Sequence, residues 1–284
     1  MTWILRATVD ASHAETACSQ LWLLATTGIA ISPAPATGVD VEEIVAGFAH
    51  HDEAETAASQ LHRAGLVVDA AVERYNETSW HHDQDAIVSV AGADGPIELT
   101  LEVGPAFGHG RHPTTVVALN LLESVVHPGG QVLDFGAGTG VLTLAAAAMG
   151  ATHIDGIEHD LEALTVAEAN AAHNPHAVTG RTLRWATSLM ALESGEHPSP
   201  STPSMRYDVI VANVLLPVHQ AHAPDLEARL AEHDDARLIV SGVLATQRDA
   251  VQQAYGGLSE VDVIEAGDDW VGMVFARPDQ GTRQ

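Results

Sequence analysis

The spacing of apolar residues divides residues 1–80 into short strands and helices. Alternating apolar positions are typical of strands, and apolar positions three and four apart are typical of helices. This pattern predicts a small α/β domain, whose helix at 54–64 is closed by a glycine. The predicted strands are Trp3–Thr8, Gly28–Ile31 and Leu66–Val68, and the predicted helices are His13–Leu24, Val41–Phe48 and Ala54–Ala64.

A polar stretch and a hairpin separate this region from the rest of the chain. Residues Asn76–Asp85 are polar and contain histidines, which is typical of a linker. The apolar runs Ala86–Val90 and Ile97–Val103 follow, joined by the turn-forming segment Gly92–Gly95. The predicted division is an N-terminal domain at 1–80, a linker and hairpin at 81–100, and a second domain at 101–284.

Strands and helices alternate in the second domain. The predicted strands are Gln131–Asp134, His153–Ile157, Asp208–Ala212, Leu238–Ser241, Glu260–Glu265 and Trp270–Arg277, and the predicted helices are Val141–Met149, Leu161–Ala172 and Pro224–Ala231. Such alternation predicts an α/β fold, with a mostly parallel sheet and helices on both of its faces.

Composition narrows the range of partners and compartments. The chain has 38 acidic and 12 basic residues, a net charge of −26, and all of the basic ones are arginines. Proteins that bind a nucleic-acid backbone need clustered positive charge, so direct nucleic-acid binding is disfavoured. The acidic charge fits either a basic protein partner or simply a soluble surface. The single cysteine, Cys18, fits a reducing compartment. Without a signal-like N-terminus or a long apolar run, we expect a soluble, cytoplasmic protein with no membrane segment.

A glycine-rich turn after a buried strand carries the clearest chemistry. The strand ends at Asp134, and Gly136, Gly138 and Gly140 lead into an alanine-rich helix. Glycines at such a turn let a ligand approach the backbone N–H groups at the helix N-terminus. The next strand ends at Glu158, where an acidic side chain can accept both hydroxyls of a ribose. These residues predict a nucleoside-binding site.

The same turn argues against a dinucleotide or a nucleotide phosphate. Val141 stands where a dinucleotide fingerprint has a further glycine, and the chain has no lysine for a phosphate loop. A ligand with a ribose and no phosphate, S-adenosylmethionine, therefore fits best. An NAD-dependent oxidoreductase stays open as an alternative that Val141 disfavours.

Two further segments are placed to complete this site. Asn213 ends a predicted strand, and strand carboxyl ends face the ligand crevice in such sheets. Thr115 opens a helix, whose N-terminus could hold a carboxylate. A metal site at His109 and His112 is disfavoured because no second ligand set accompanies them. Asp160 is expected to cap the helix that follows it.

Four motifs in order give the chain a family resemblance. Four segments resemble motifs of the ribosomal protein L11 methyltransferases, the PrmA family: the A-F-G-T-G-x-H-x-T-T signature, the cofactor loop, the V-A-N-I-L segment and the S-G-I-L strand. They are, in that order, Ala106–Thr115, Val132–Leu142, Val211–Leu215 and Leu238–Leu244. The resemblance implies a Rossmann-like, seven-stranded class I methyltransferase sheet. It also implies a small ferredoxin-like N-terminal domain that recognises the ribosomal protein.

The resemblance also implies a reaction and its residues. The implied reaction transfers methyl groups from S-adenosylmethionine to lysine and N-terminal amines of a large-subunit ribosomal protein. Thr115, Gly136, Glu158 and Asn213 match cofactor positions, and Phe107 would lie against the reacting end of the ligand, which makes Asn213 and Phe107 the catalytic candidates.

The chain departs from the family pattern at several positions. Glu158 replaces the usual Asp, His109 stands where Thr is common, and Ala137 stands where Cys is common. Residues 1–80 resemble the family only in arrangement. Two other functions therefore stay open: a methyltransferase acting on another protein or a small amine, and a non-catalytic module that binds S-adenosylmethionine.

Overall fold

The chain forms two units, each with its own sheet. The computed structural model describes residues 3–10, 13–22, 24, 26, 28–33, 41–74, 86–93, 95–102, 110, 112–192, 205–266 and 269–278. One unit comprises Met1–Gln84 and Val103–Phe107, and the other comprises Asp85–Glu102 and Gly108–Gln284. The hairpin that we placed in the linker thus lies with the second unit, and the domain limits at 80 and 100 stay a prediction.

The first unit has the order βαββαβ. Its sheet order is β2-β3-β1-β4 and its pairs are antiparallel, which is the ferredoxin-like arrangement. Leu5, Leu21, Ile44, Phe48 and Leu61 are buried between this sheet and the two helices. The elements are β1 (Trp3–Asp10), α1 (Ala14–Trp22), β2 (Gly28–Pro33), β3 (Val41–Phe48), α2 (His51–Arg63) and β4 (Asp69–Arg74).

The prediction of a helix at Val41–Phe48 was wrong. This segment is β3, which pairs with β1 on one side and β2 on the other. Its apolar residues happen to fall at helical spacing, but its place in the middle of the sheet decides its structure. The predicted strand Leu66–Val68 was also wrong. The amide of Leu66 instead donates to the carbonyl of Leu61 and ends α2, so the strand begins only at Asp69.

The second unit contains the predicted α/β sheet. Seven strands have the order β12-β13-β11-β10-β7-β8-β9. The five strands from β11 to β9 are parallel, whereas β13 is antiparallel to both neighbours. These strands are β7 (Gln131–Phe135), β8 (His153–Ile157), β9 (Thr182–Ala186), β10 (Val209–Asn213), β11 (Arg237–Leu244), β12 (Ser259–Ala266) and β13 (Trp270–Ala276), and β5 (Ala86–Gly92) and β6 (Gly95–Leu101) form the separate hairpin.

Helices follow the parallel strands, as the alternation predicts. Helix α8 begins two turns before the predicted start at Pro224, which lies inside it, because Pro217 occupies the favoured first turn. Strand β9 and the short helices α6, α7 and α9 were not predicted. Within the described part of the chain, no helix is long and apolar enough to cross a membrane. The helices are α3 (Pro113–Val125), α4 (Val141–Ala148), α5 (Leu161–His173), α6 (Pro175–Val178), α7 (Leu189–Leu192), α8 (Leu216–Arg229) and α9 (Arg248–Ala254).

Candidate functional site

The carboxyl ends of three adjacent parallel strands bring the predicted residues to one edge of the sheet. The glycine loop, Gly136–Gly140, follows β7, Glu158 follows β8, and Asn213 is the last residue of β10. Strand β7 lies between β8 and β10. Because ligands of such sheets bind outside the carboxyl ends of the strands, this edge is the candidate site.

The glycine loop has a conformation that favours glycine. Gly136, Gly138 and Gly140 have φ angles of +83°, +53° and +81°. The amide of Gly136 donates to the carbonyl of Ile157 at 2.8 Å, which fixes the loop to the end of β8. A Cβ atom on Gly136 would lie 2.3 Å from Val214 Cγ1, so a side chain would clash as well as strain the backbone.

Glu158 is held by the loop that it faces. Its side chain is nearly buried, and Oε2 accepts the N–H of Gly138 at 3.0 Å. Oε1 accepts the N–H of Asp160 at 3.0 Å and lies 3.0 Å from His159 Nδ1. A carboxylate can accept about four hydrogen bonds, so the two backbone amides orient Glu158 and leave two acceptor positions, which ribose hydroxyls would share with the exposed His159.

Asp134 lies beneath the loop as a fully buried acid. Thr143 donates its hydroxyl to Oδ2 at 2.7 Å, and Oδ1 has no hydrogen-bond partner in the described residues. Burial raises the pKa of Asp134 to about 7, although the Thr143 hydrogen bonds oppose the shift and the charge of Glu158 adds to it. The sequence pattern identifies Asp134 but not Thr143, which meets it only when α4 packs on β7.

The raised pKa makes a prediction about stability and pH. An acid with a raised pKa in the fold stabilises fully below its ordinary value of 3.8, and that stabilisation is lost as pH rises through about 7. Asp134→Asn removes the loss. Its free energy of unfolding relative to wild type should therefore rise by about 1.4 kcal/mol per pH unit across this window. Urea unfolding at pH 4, 5.5, 7 and 8 measures the difference, and a constant difference would contradict the assignment.

Asn213 meets the first turn of α3. Its Nδ2 makes a long hydrogen bond of 3.4 Å to Thr115 Oγ1, while its buried Oδ1 lacks a partner in the part of the chain that the structure describes. Ser241 Oγ donates to the carbonyl of Thr114 at 2.9 Å and fastens this turn to β11. An acceptor oxygen is thus left free beside the helix N-terminus.

A histidine that the sequence analysis missed supports the same strand ends. His219 is fully buried, its Nε2 donates to the carbonyl of Ser241 at 3.1 Å, and its Nδ1 accepts the hydroxyl of Tyr255 at 2.8 Å. Burial lowers the pKa of His219 to about 4, so it is neutral at pH 7 and can make both contacts. Nothing in the local sequence distinguishes it from an ordinary helix histidine.

The remaining predicted residues fall outside the site or outside the described residues. Phe107 and His109 lie outside the described residues. His112 caps α3 through Nδ1, which accepts the N–H of Thr114. The predicted cap by Asp160 is confirmed, since its carboxylate accepts the N–H of Glu162 at 2.8 Å. No group of three or more potential metal ligands occurs among the residues that the structure describes.

A cavity of about 280 Å³ lies at the opposite edge of the sheet. It is lined by Gln131 and Val209, the first residues of β7 and β10, and by Asp208 and His233. Both carboxylate oxygens of Asp208 are already engaged, by the amide of Gln131 and by His233. The amino ends of parallel strands do not usually bind the ligand, so we place the site at the other edge.

Comparison with known proteins identifies a family that matches this chain. A sequence model described as "Ribosomal protein L11 methyltransferase (PrmA)" matches residues 42–278. Similar proteins include the ribosomal protein L11 methyltransferases of Dechloromonas aromatica, 34% identical over 200 residues, and Hahella chejuensis, 36% identical over 175 residues. These matches cover 70% and 62% of this chain, and the chain spans only 59% and 54% of the length of those relatives.

A solved structure agrees with the sequence comparisons. The crystal structure of ribosomal protein L11 methylase from Lactobacillus delbrueckii subsp. bulgaricus aligns with a TM-score of 0.50 and 26% identity. The alignment covers 59% of this chain and 80% of that one. Because the family model covers most of the chain, including every described site residue, the chain belongs to the ribosomal protein L11 methyltransferase (PrmA) family.

Proposed function

We propose that this chain transfers methyl groups from S-adenosylmethionine to lysine and N-terminal amines of ribosomal protein L11. One juxtaposition carries the proposal. The carboxylate of Glu158, held on the glycine loop, and the unpartnered Oδ1 of Asn213 lie at the same edge of one sheet. The carboxylate suits the ribose of the methyl donor, and the amide oxygen suits the amine of the methyl acceptor.

The residues fit the methyl donor. The three glycines place no side chain of their own between a ligand and the loop backbone, and Glu158 can accept ribose hydroxyls. The hydroxyl of Thr115, in the first turn of α3, can donate to a carboxylate. When bound, S-adenosylmethionine supplies an electrophilic methyl group on a sulfonium. The buried, unpartnered oxygens of Asp134 and Asn213 also suit a cationic ligand with N–H groups.

The chain's own task is to hold a neutral amine in line with that methyl group. A lysine amine has an ordinary pKa of about 10.4, so it must lose a proton before it reacts. Asn213 Oδ1 accepts an N–H of the amine and aims its lone pair. The family resemblance assigns Phe107 to the reacting end of the ligand. The proton leaves to solvent or to His109. Orientation of this kind is a large part of catalysis in bimolecular transfers.

Charge and family membership support the substrate. The relatives are named for ribosomal protein L11, and a net charge of −26 steers a lysine-rich protein toward this chain. The proposal includes a cytoplasmic location, where ribosomal proteins are made, and no direct contact with nucleic acid. Residues 1–80 serve in it as the substrate-recognition domain, 81–100 as linker and hairpin, and 101–284 as the methyltransferase domain.

A second candidate is a methyltransferase with a different acceptor. The family match begins at residue 42, so all of β1, α1 and β2 in the N-terminal unit lie outside it. A different acceptor, another protein or a small amine, would use the same donor site. A module that binds the donor without turnover is a third outcome.

Mass spectrometry of purified ribosomal protein L11 after incubation with isotopically labelled S-adenosylmethionine tests the proposal. We expect labelled methyl groups on L11 lysines and on its N-terminus. The chain has no lysine, so every methyl-lysine recovered comes from the substrate. Donor binding without labelled L11 would favour the second candidate, and labelling of a small amine instead would establish it. Binding with no acceptor at all would leave the non-catalytic module.

A further inference from the structure

Two buried asparagines, one in helix α5 and one at its C-cap, face the same hairpin. Asn170 and Asn174 lie four residues apart, about one helical turn, and both are 0% exposed. A buried amide needs partners for its N–H groups and for its oxygen, because an unpaired polar group in the interior costs free energy. Both side chains bond to backbone groups at or just after β6, but only one of them also bonds to the glycine loop.

Asn174 bonds to the hairpin and to its own helix. Its Oδ1 accepts the N–H of Thr100 at 2.9 Å, and its Nδ2 donates to the carbonyl of Thr100 at 2.8 Å. Nδ2 also donates to the carbonyl of Asn170 at 2.7 Å. Asn174 thus pairs with β6 as a neighbouring strand would, and it makes no hydrogen bond to the glycine loop among the described residues.

Asn170 joins the hairpin to the glycine loop. Its Nδ2 donates to the carbonyl of Thr139 at 3.0 Å, and its Oδ1 accepts the N–H of Glu102 at 2.7 Å. Thr139 stands between Gly138 and Gly140, and Glu102 follows β6 directly. The two contacts use separate atoms, a donor nitrogen and an acceptor oxygen at the end of one side chain, and an asparagine amide supplies both.

We propose that Asn170 is a positioning residue for the methyl donor. It anchors the glycine loop through the Thr139 carbonyl, and it transmits the ordering of that loop by the donor to the backbone at Glu102. The inference rests on the proposed function, since it requires the donor to bind at this loop. Glycines give the loop wide conformational freedom, and the anchor removes part of that freedom before the donor arrives.

A matched pair of isosteric variants separates this role from a purely structural one. Asn170→Asp and Asn174→Asp both keep the acceptor oxygen and remove the amide donor. Asn170→Asp should weaken binding of S-adenosylhomocysteine, measured by calorimetry, by about ten-fold, because a buried hydrogen bond to the loop is lost. Both variants should lower the melting temperature by similar amounts. Asn174→Asp, however, should leave the affinity for S-adenosylhomocysteine within about two-fold of wild type.

Hydrogen exchange gives a second readout that a structural role would not move. In wild type, S-adenosylhomocysteine should slow exchange of the Glu102 amide and leave the Thr100 amide, which Asn174 holds, unchanged. In Asn170→Asp the aspartate still accepts the Glu102 N–H, but the response of that amide to the ligand should disappear. An unchanged Glu102 amide in liganded wild type would overturn the inference without any variant.

Neutral substitutions cover the case in which a buried aspartate prevents folding. Asn170→Ser and Asn174→Ser shorten both side chains, and the same contrast in affinity is expected. Wild-type affinity in a folded variant at 170, or an equal loss of affinity at 174, overturns the inference and leaves the proposed function intact. A wild-type chain that does not bind S-adenosylhomocysteine defeats both.

Discussion

Replacing Glu158 with alanine should raise the Kd for S-adenosylhomocysteine at least about 100-fold, because two charge-assisted hydrogen bonds of about 1.5–3 kcal/mol each are lost. Glu158 is held in place by the amides of Gly138 and Asp160, so its free oxygen lone pairs are already oriented toward a ligand. Water cannot take the place of this oriented carboxylate unless the glycine loop changes its conformation. Titration calorimetry with the purified chain measures the change.

Two variants control for the charge and for the fold. Glu158→Asp keeps the carboxylate, on a side chain shorter by one methylene, and should retain affinity within about ten-fold of wild type. Glu162→Ala removes a nearby exposed carboxylate, in the first turn of α5, and should bind S-adenosylhomocysteine as wild type does. If Glu158→Ala bound S-adenosylhomocysteine as wild type does, the ribose would have to be held elsewhere.

Replacing Asn213 with alanine should lower kcat for methyl transfer by about 100-fold or more, since orientation of the reacting amine is lost. The Kd for S-adenosylhomocysteine should rise much less, because Glu158 and the glycine loop remain. The physical basis is the buried Oδ1 of Asn213, which has no partner in the described residues and is thus available to an amine N–H. Single-turnover rates with labelled donor separate this effect from binding.

Thr115→Val serves as the graded comparison for Asn213. The substitution removes the hydroxyl that faces Asn213 Nδ2 at 3.4 Å and leaves the acceptor oxygen in place. It should lower kcat by about ten-fold, less than the loss of the amide, because the orientation of Asn213 is weakened while its acceptor oxygen remains. It should also raise the Kd for S-adenosylhomocysteine, because Thr115 is the proposed contact of the donor's carboxylate. Full turnover in Asn213→Ala would remove Asn213 from the catalytic machinery.

The site residues that lie at the ends of strands could be predicted from the sequence. Glu158 and Asn213 each close a buried strand, so parallel pairing alone brings them to one edge. Thr143, Asn170 and His219 were not predictable, because their partners lie far away in sequence and meet them only through helix packing. A polar residue inside a helix pattern carries no local sign of the group that it will contact.

The fold divides along the same line. The alternation of strands and helices predicts the parallel sheet because each element has a clear apolar period of its own. Val41–Phe48 failed because its apolar spacing fits a helix, and only pairing with strands on both sides makes it β3. The local pattern predicts a helix well, because a helix makes its backbone hydrogen bonds within itself. An interior strand such as β3 makes them with the strands on either side, which the local pattern does not reveal.

The position of β13 has a consequence for how the chain is made. Strand β13 inserts between β11 and β12, and all seven of its residues are buried. During synthesis, the glycine loop, Glu158 and Asn213 leave the ribosome before β13 does, so until residue 276 is available β11 presents an unpaired edge. Such edges template pairing with other chains. Nascent chains that carry every donor-binding residue should therefore need protection by chaperones until their last sheet strand arrives.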